Sequence, residues 1–185
     1  MPSADASAPV PASIALGDGY RHLTHSFEPV FDARSRVLVL GSFPSVLSRD
    51  NAFYYGNPRN RFWPLMAELL GEPEPGLLDV AGKRAMLLRH RVALWDVVAS
   101  CDVRGSSDAS IRDVVPTDVG RVLAVAHVEA VFCNGGTAAH LYHRHLESRT
   151  GMPAVMLPST SPANASWSAA RLLARWREAL GPYLD

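Results

Sequence analysis

The sequence predicts an α/β fold: a doubly wound, parallel sheet of about four strands with helices on both faces. Three observations predict it. Short apolar runs over 36–40, 92–98, 127–133 and 154–157 have the length and near-continuous hydrophobicity of buried parallel strands. Segments with helical spacing of apolar residues alternate with them, as in βαβ units. The loops that follow the runs begin at Gly41, near Ala99, at Asn134 and at Pro158, and all are rich in Gly, Ser, Pro or Asn. Ligands of parallel α/β sheets bind beyond the carboxyl ends of the strands, so these loops should converge on one site.

The elements follow in chain order. Residues 1–13, rich in Ala, Ser and Pro, read as a disordered tail. Residues 14–185 are the right size for a single domain. Over 14–32 no period holds, and Tyr20, Leu23, Phe27, Val30 and Phe31 should pack as an irregular lead-in. The first strand, RVLVL, stops at Gly41. Residues 60–70 read as a helix with Phe62, Leu65, Met66, Leu69 and Leu70 on one face, stopped by Gly71. EPEPG is a turn and 77–90 a second helix. VALWDVV is the second strand, and CDVRGSSDAS a polar loop. Thr117 is a candidate N-cap for a helix to about residue 126, with Asp118 in its first turn. After the third strand, Asn134, Gly135, Gly136 and Thr137 turn into a helix that runs to about residue 147. After the fourth, PSTSPANAS leads into an amphipathic helix over 167–180, with Ser166 as its N-cap and Leu172, Leu173, Trp176 and Leu180 inward.

Composition removes several function classes. With 48% apolar and 19% charged residues the chain is of the soluble globular kind. No apolar run is long enough to span a bilayer. No basic segment precedes an apolar one at the N-terminus, so no secretory signal is expected and the expected location is cytoplasmic, nucleoid-associated when acting on DNA. Two cysteines, Cys101 and Cys133, are too few for a disulfide framework or a four-cysteine metal or iron–sulfur site, and read as buried thiols. Net charge is zero, which argues against binding by bulk electrostatics but leaves room for a local phosphate-contact surface. Lys83 is the single lysine.

The chemistry lies in the loops. GSFPS, residues 41–45, places a glycine directly after a strand, where a ligand can approach the backbone. Phe53, Tyr54 and Tyr55 are costly to expose. Phe53, together with Phe62 and Trp63, reads as core, which leaves at least one aromatic as a stacking platform for a base. Asn57 and Asn60 carry amides able to read a base edge or hold a water, and Asn60 equally suits a helix cap. The hydroxyls of Ser159, Thr160 and Ser161, with nearby backbone amides, could cradle a phosphate. Asp96, at the end of the second strand, is either a general base or, the preferred reading, a carboxylate that fixes the loop through backbone amides. Among His140, His143 and His145 only the first two share a helix face, and no third ligand is evident, so no metal is expected.

In this order and spacing, GSFPS, YYGNPRNRFW, NGG and LPSTSPANA resemble the uracil-DNA glycosylase superfamily, and within it the hypoxanthine-DNA glycosylase family, family six. The resemblance spans residues 35–180. It implies the doubly wound fold and the removal of a deaminated base (hypoxanthine, with uracil and xanthine as further candidates) from double-stranded DNA. Most members place Asn or Asp two residues after the first-motif glycine; here Phe43 stands there, as in the hypoxanthine branch, and the catalytic role carries over to Asn60. The base-stacking aromatic falls on Tyr55, and Gly41, Ser42, Phe43, Ser45 and Asn57 complete the implied base site. The DNA-clamping loop falls on Ser159, Thr160, Ser161, Pro162, Ala163 and Asn164. The histidine of that motif in the most active uracil-removing branch is absent, as are the cysteines of the iron–sulfur branches. The implied enzyme is a monofunctional, monomeric hydrolase with no cofactor and no obligate protein partner. Two other readings stay open: hydrolysis of free nucleosides or nucleotides, and non-catalytic reading of damaged DNA.

Overall fold

A computed structural model describes residues 13–72, 79–104 and 110–184. The expected N-terminal tail up to residue 12, most of the EPEPG turn, the first two residues of the second helix and the middle of the CDVRGSSDAS loop lie outside the described residues; Ser13, the tail's last expected residue, is in a strand instead.

Four strands form the parallel sheet: β3 (Val37–Gly41), β4 (Val92–Asp96), β7 (Ala130–Asn134) and β8 (Ala154–Leu157). Their order is β4-β3-β7-β8, and every pairing is parallel. β3 is central, and its Val37, Leu38, Val39 and Leu40 have no exposed surface. From β3 the chain steps to β4 on one side and later to β7 on the other, so a crevice opens beyond the carboxyl ends at that reversal. Register puts Gly41 beside Asp96 there.

Helices pack around the sheet: α2 (Phe62–Leu70), α3 (Val80–Arg89), α5 (Gly136–His145) and α7 (Ala169–Leu180). α3 packs on β4, α5 on β7 and β8, and α2 on α7. Phe62, Trp63, Leu65 and Met66 of α2 are buried, as are Leu172, Trp176 and Leu180 of α7. Cys101 and Cys133 are buried free thiols, and burial pushes the Cys133 thiol up to about 12.

A second sheet departs from the sequence reading. The lead-in forms β1 (Ser13–Ala15) and β2 (Tyr20–Thr24). The polar loop after β4 begins as β5 (Val98–Arg104) and returns as β6 (Arg112–Pro116). These strands make an antiparallel sheet in the order β1-β2-β5-β6. In β2 only Leu23 is buried, so no apolar run advertises the strand. The expected strand 92–98 is two strands divided at Val97. Val97 N–H donates to Gly41 O (2.9 Å) and Val98 N–H to Ser42 O (3.1 Å), so the chain changes sheets while still holding the loop that follows β3.

Helix boundaries shift for identifiable reasons. Thr117 caps no helix: its hydroxyl donates to Asp96 O (2.8 Å), and α4 is the short segment Gly120–Leu123. Ser168 rather than Ser166 caps α7, accepting from Arg171 N–H at 3.3 Å. The helix expected to reach residue 147 ends as α5 at His145, and α6 (Glu147–Thr150) follows.

Candidate active site

The loops beyond β3, β4, β7 and β8 enclose a cavity of about 500 Å³, within the range of small-ligand sites. Gly41, Ser42, Phe43, Ser45, Tyr55, Asn57 and Asn60 all line it. So do Ser159, Thr160, Ser161, Pro162 and Ala163 from the other side. Asn164 does not. Its amide donates to Ser159 O (2.9 Å), its Oδ1 accepts from Ser166 Oγ (3.2 Å), and it serves the loop's own shape.

The segment between β3 and α2 is braced internally. Ser45 Oγ accepts from Ser48 N–H (3.2 Å) and so caps α1 (Val46–Asp50). Ser48 Oγ accepts from Gly56 N–H (3.0 Å), tying the two halves of the loop together. Arg49 donates to Pro44 O (2.7 Å) while its guanidinium lies 5.9 Å from the Phe43 ring. Phe53 stacks on Trp63 at 5.6 Å, and Trp63 Nε1–H donates to Tyr54 O (3.0 Å); Phe53, Phe62 and Trp63 are core, as their apolar bulk predicts, and Tyr54 joins them.

Tyr55 is different. It adopts a left-handed φ of 52°, a conformation uncommon for a bulky residue, and its ring stacks on Phe62 at 4.0 Å. Its hydroxyl accepts from Asn134 Nδ2 (2.9 Å). Burial first, then the nearby Asp96 carboxylate, hold that hydroxyl well above the ordinary tyrosine range, so it remains a neutral O–H donor.

Asn60 is both cap and pocket residue. Its Oδ1 accepts from Phe62 N–H (3.0 Å) at the start of α2 and from Thr160 Oγ1–H (2.9 Å). Because a backbone N–H can only donate, the oxygen is fixed and the Nδ2 amide is the part left to the cavity. Thr160 is fully buried, its Oγ1 accepting from Asn134 Nδ2 (2.9 Å) and its N–H donating to Asn134 Oδ1 (3.0 Å). A chain of hydrogen bonds therefore runs Tyr55–Asn134–Thr160–Asn60 across three loops.

This changes the expected phosphate cradle. The amides of Thr160, Ser161 and Ala163 are spent on Asn134 Oδ1, Ser159 Oγ and Ser161 Oγ respectively. Thr160 is an internal brace, and the loop offers Ser159 and Ser161 hydroxyl hydrogens rather than free backbone amides. Arg61 holds the same loop in place. Its guanidinium donates to the carbonyls of Ser161 (2.9 Å), Asn164 (3.0 Å), Thr160 (3.4 Å) and Trp167.

The preferred reading of Asp96 is also corrected. Among the described residues it accepts no backbone amide; Oδ2 instead meets His25 Nε2 at 3.0 Å, with both side chains buried. His25 Nδ1 faces Phe27 N–H (3.5 Å), which makes Nε2 the protonated nitrogen. Sequence reasoning missed Asn134, Arg61 and His25 as site residues. Asn134 had a usable signal, an amide at the carboxyl end of a central strand. His25 had none, because the lead-in carries no motif.

Gly41 explains the motif's first residue. A Cβ there would lie 2.2 Å from Asp96 Oδ1 and 3.2 Å from the Tyr55 hydroxyl. Gly41→Ala should displace both groups and lower kcat/KM on a base-containing substrate by about 10²-fold or more, the scale on which a small misplacement of reacting groups is felt. Steady-state kinetics, with circular dichroism to confirm folding, checks this.

Comparisons with known proteins give the family. The model of the uracil DNA glycosylase superfamily matches residues 28–180. A hypoxanthine DNA glycosylase of Methanosarcina acetivorans is 34% identical over 148 residues, covering 79% of this chain and 91% of the relative. One from Methanosarcina barkeri is 34% identical over 87 residues, covering 47% and 54%. The solution NMR structure of a candidate uracil DNA glycosylase from Methanosarcina acetivorans superposes with a TM-score of 0.69 at 31% identity, covering 82% of this chain and 95% of that one. By sequence family and by fold, the chain belongs to the uracil DNA glycosylase superfamily.

Proposed function

We propose that the protein is a DNA repair glycosylase that takes hypoxanthine out of duplex DNA and hydrolyses its N-glycosidic bond, leaving an abasic site. The observation that carries this reading is the state of Asn60. With Oδ1 engaged by Phe62 N–H and Thr160 O–H, its free amide hydrogens present a fixed donor to the cavity. The names of the two Methanosarcina relatives supply the base.

The target atom is buried in a duplex, so the nucleotide must first rotate out, at a cost of a few kcal/mol that is smallest for a mismatched base such as hypoxanthine. Phe43 offers the aromatic surface for the extruded ring, while Tyr55, stacked on Phe62, borders the pocket with its hydroxyl. The C1′–N9 bond then breaks, its electron pair leaving with the base and positive charge developing on the sugar. Water adds at C1′, and the proton it loses passes through solvent to the departing base, which leaves neutral. Asn60 Nδ2–H donates to the departing base where negative charge grows. A preorganised donor of this kind contributes on the order of 10²–10³ in rate. The chain's single lysine lies 5.4 Å from the Trp63 ring and outside the cavity lining, so no lysine amine is placed to form an imine with the sugar. The enzyme is therefore monofunctional, without strand cleavage of its own. DNA contact rests on the hydroxyls of Ser159 and Ser161 and on neighbouring Pro162 and Ala163 at the rim.

The test is a set of labelled duplexes carrying hypoxanthine, uracil or xanthine. Incubation should yield strand breaks at hypoxanthine only after hot alkali. Absence of alkali-labile sites at any enzyme concentration overturns the glycosylase reading, and breaks before alkali overturn its monofunctional form.

A further inference from the structure

Asp96 is not used by the mechanism above, yet it sits at the cavity floor. Only 4% of the residue's surface is exposed, and His25 Nε2–H holds Oδ2 at 3.0 Å. Oδ1 has no hydrogen-bond partner among the described residues, and it is not a sealed, unsatisfied atom either. It faces the space over Gly41, where a Cβ would approach it to 2.2 Å. The Tyr55 hydroxyl borders the same space, at 3.2 Å from that position. Because Tyr55 oxygen accepts from Asn134, its own hydrogen is left for a ligand. The floor thus sets one fixed acceptor beside one fixed donor. A carboxylate so held can only accept.

Deamination creates the edge that complements this pair. Adenine and cytosine present an unprotonated ring nitrogen, an acceptor, beside an amino group, a donor. Their deamination products, hypoxanthine and uracil, present a ring N–H beside a carbonyl oxygen. Every polarity is reversed. The geometry points to Asp96 as the specificity-determining acceptor for the ring N–H of a lactam-bearing base, with His25 as its positioning residue and Tyr55 donating to the adjacent carbonyl oxygen. This rests on the glycosylase reading and deepens it. Adenine in the same place would set its lone pair against the carboxylate and its amino group against the Tyr55 O–H. Guanine and thymine share the lactam, so their rejection falls to the 2-amino group, the 5-methyl group and the greater cost of extruding a correctly paired base.

The experiment compares single-turnover base release from duplexes bearing deoxyinosine, deoxynebularine and N1-methyldeoxyinosine. Nebularine has the same ring without the N–H and carbonyl. Wild type should favour deoxyinosine over deoxynebularine by about 100-fold or more, since a site built to bond an N–H leaves polar groups unpaired without it. In Asp96→Asn the His25 N–H takes the amide oxygen and turns the NH2 toward the base, so that ratio should fall at least tenfold with the melting temperature retained. Differences in intrinsic leaving ability are common to both proteins and cancel between the ratios. If the variant slows both substrates equally, Asp96 acts on a step common to all bases, such as water addition, and the proposal is overturned. An unchanged variant also overturns it. Should Asp96→Asn not fold, wild type alone decides. N1-methyldeoxyinosine must be refused, and release at the deoxyinosine rate overturns the proposal. A wild-type protein that releases no base at all brings down the glycosylase reading as well, and is recognisable as that failure.

Discussion

Asn60→Asp should lower kcat on a hypoxanthine duplex by about 10²–10³-fold, the magnitude of one lost preorganised donor, while shifting the melting temperature by no more than a few degrees. The substitution separates the two jobs of the residue. A carboxylate oxygen still accepts from Phe62 N–H and from Thr160 Oγ1–H, so the start of α2 and the brace to the Ser159–Ala163 loop survive. Only the group facing the cavity changes, from a donor to a negatively charged acceptor that opposes charge growing on the base. Asn60→Ala, by contrast, should lose the same activity and about 1–2 kcal/mol of stability, because it removes the cap and orphans the Thr160 hydroxyl. Single-turnover kinetics paired with thermal melts distinguishes the outcomes. Full turnover per folded molecule in Asn60→Asp would make Asn60 a cap and nothing more.

Arg61→Lys should be nearly as damaging to activity as Arg61→Ala, and both should destabilise the fold by about 2–4 kcal/mol. The guanidinium reaches carbonyls of Thr160, Ser161, Asn164 and Trp167 in one planar fork. An ammonium is a single point with three donors on a flexible stem and cannot span that set. With the clamp gone, Thr160 would leave Asn60 Oδ1, and the amide now fixed toward the cavity would rotate freely. Denaturant melts give the stability change, and the KM-against-kcat split shows whether loop order affects binding, chemistry or both. Retention of stability in Arg61→Lys would show that charge alone suffices.

These two residues lie within one motif, NPRNRFW, and illustrate how legible the site was. Its membership was plain: all but one of the thirteen residues expected at the site line one cavity, because four post-strand loops of a parallel sheet have no other place to meet. The core aromatics Phe53, Phe62 and Trp63 were equally plain from their size. The division of labour inside the cavity was not. Thr160, expected at the DNA, is fully buried between Asn134 and Asn60. Asp96, expected on backbone amides, meets a histidine 71 residues away.

The sequence by itself determined the parallel sheet and its helices, since continuous apolar runs and helical periodicity are local properties of a chain that must bury both faces of a sheet. It also determined which loops form the cavity. Only the tertiary structure decided the antiparallel sheet, whose short, half-exposed strands bury too little to leave a pattern, and with it the delivery of His25 to Asp96. Tertiary structure alone also decided which end of the Asn60 amide faces the cavity. That orientation is dictated by two donors, one at the next helix and one 100 residues along the chain, and hydrogen-bond partners at such separations are set by packing rather than by neighbours in sequence.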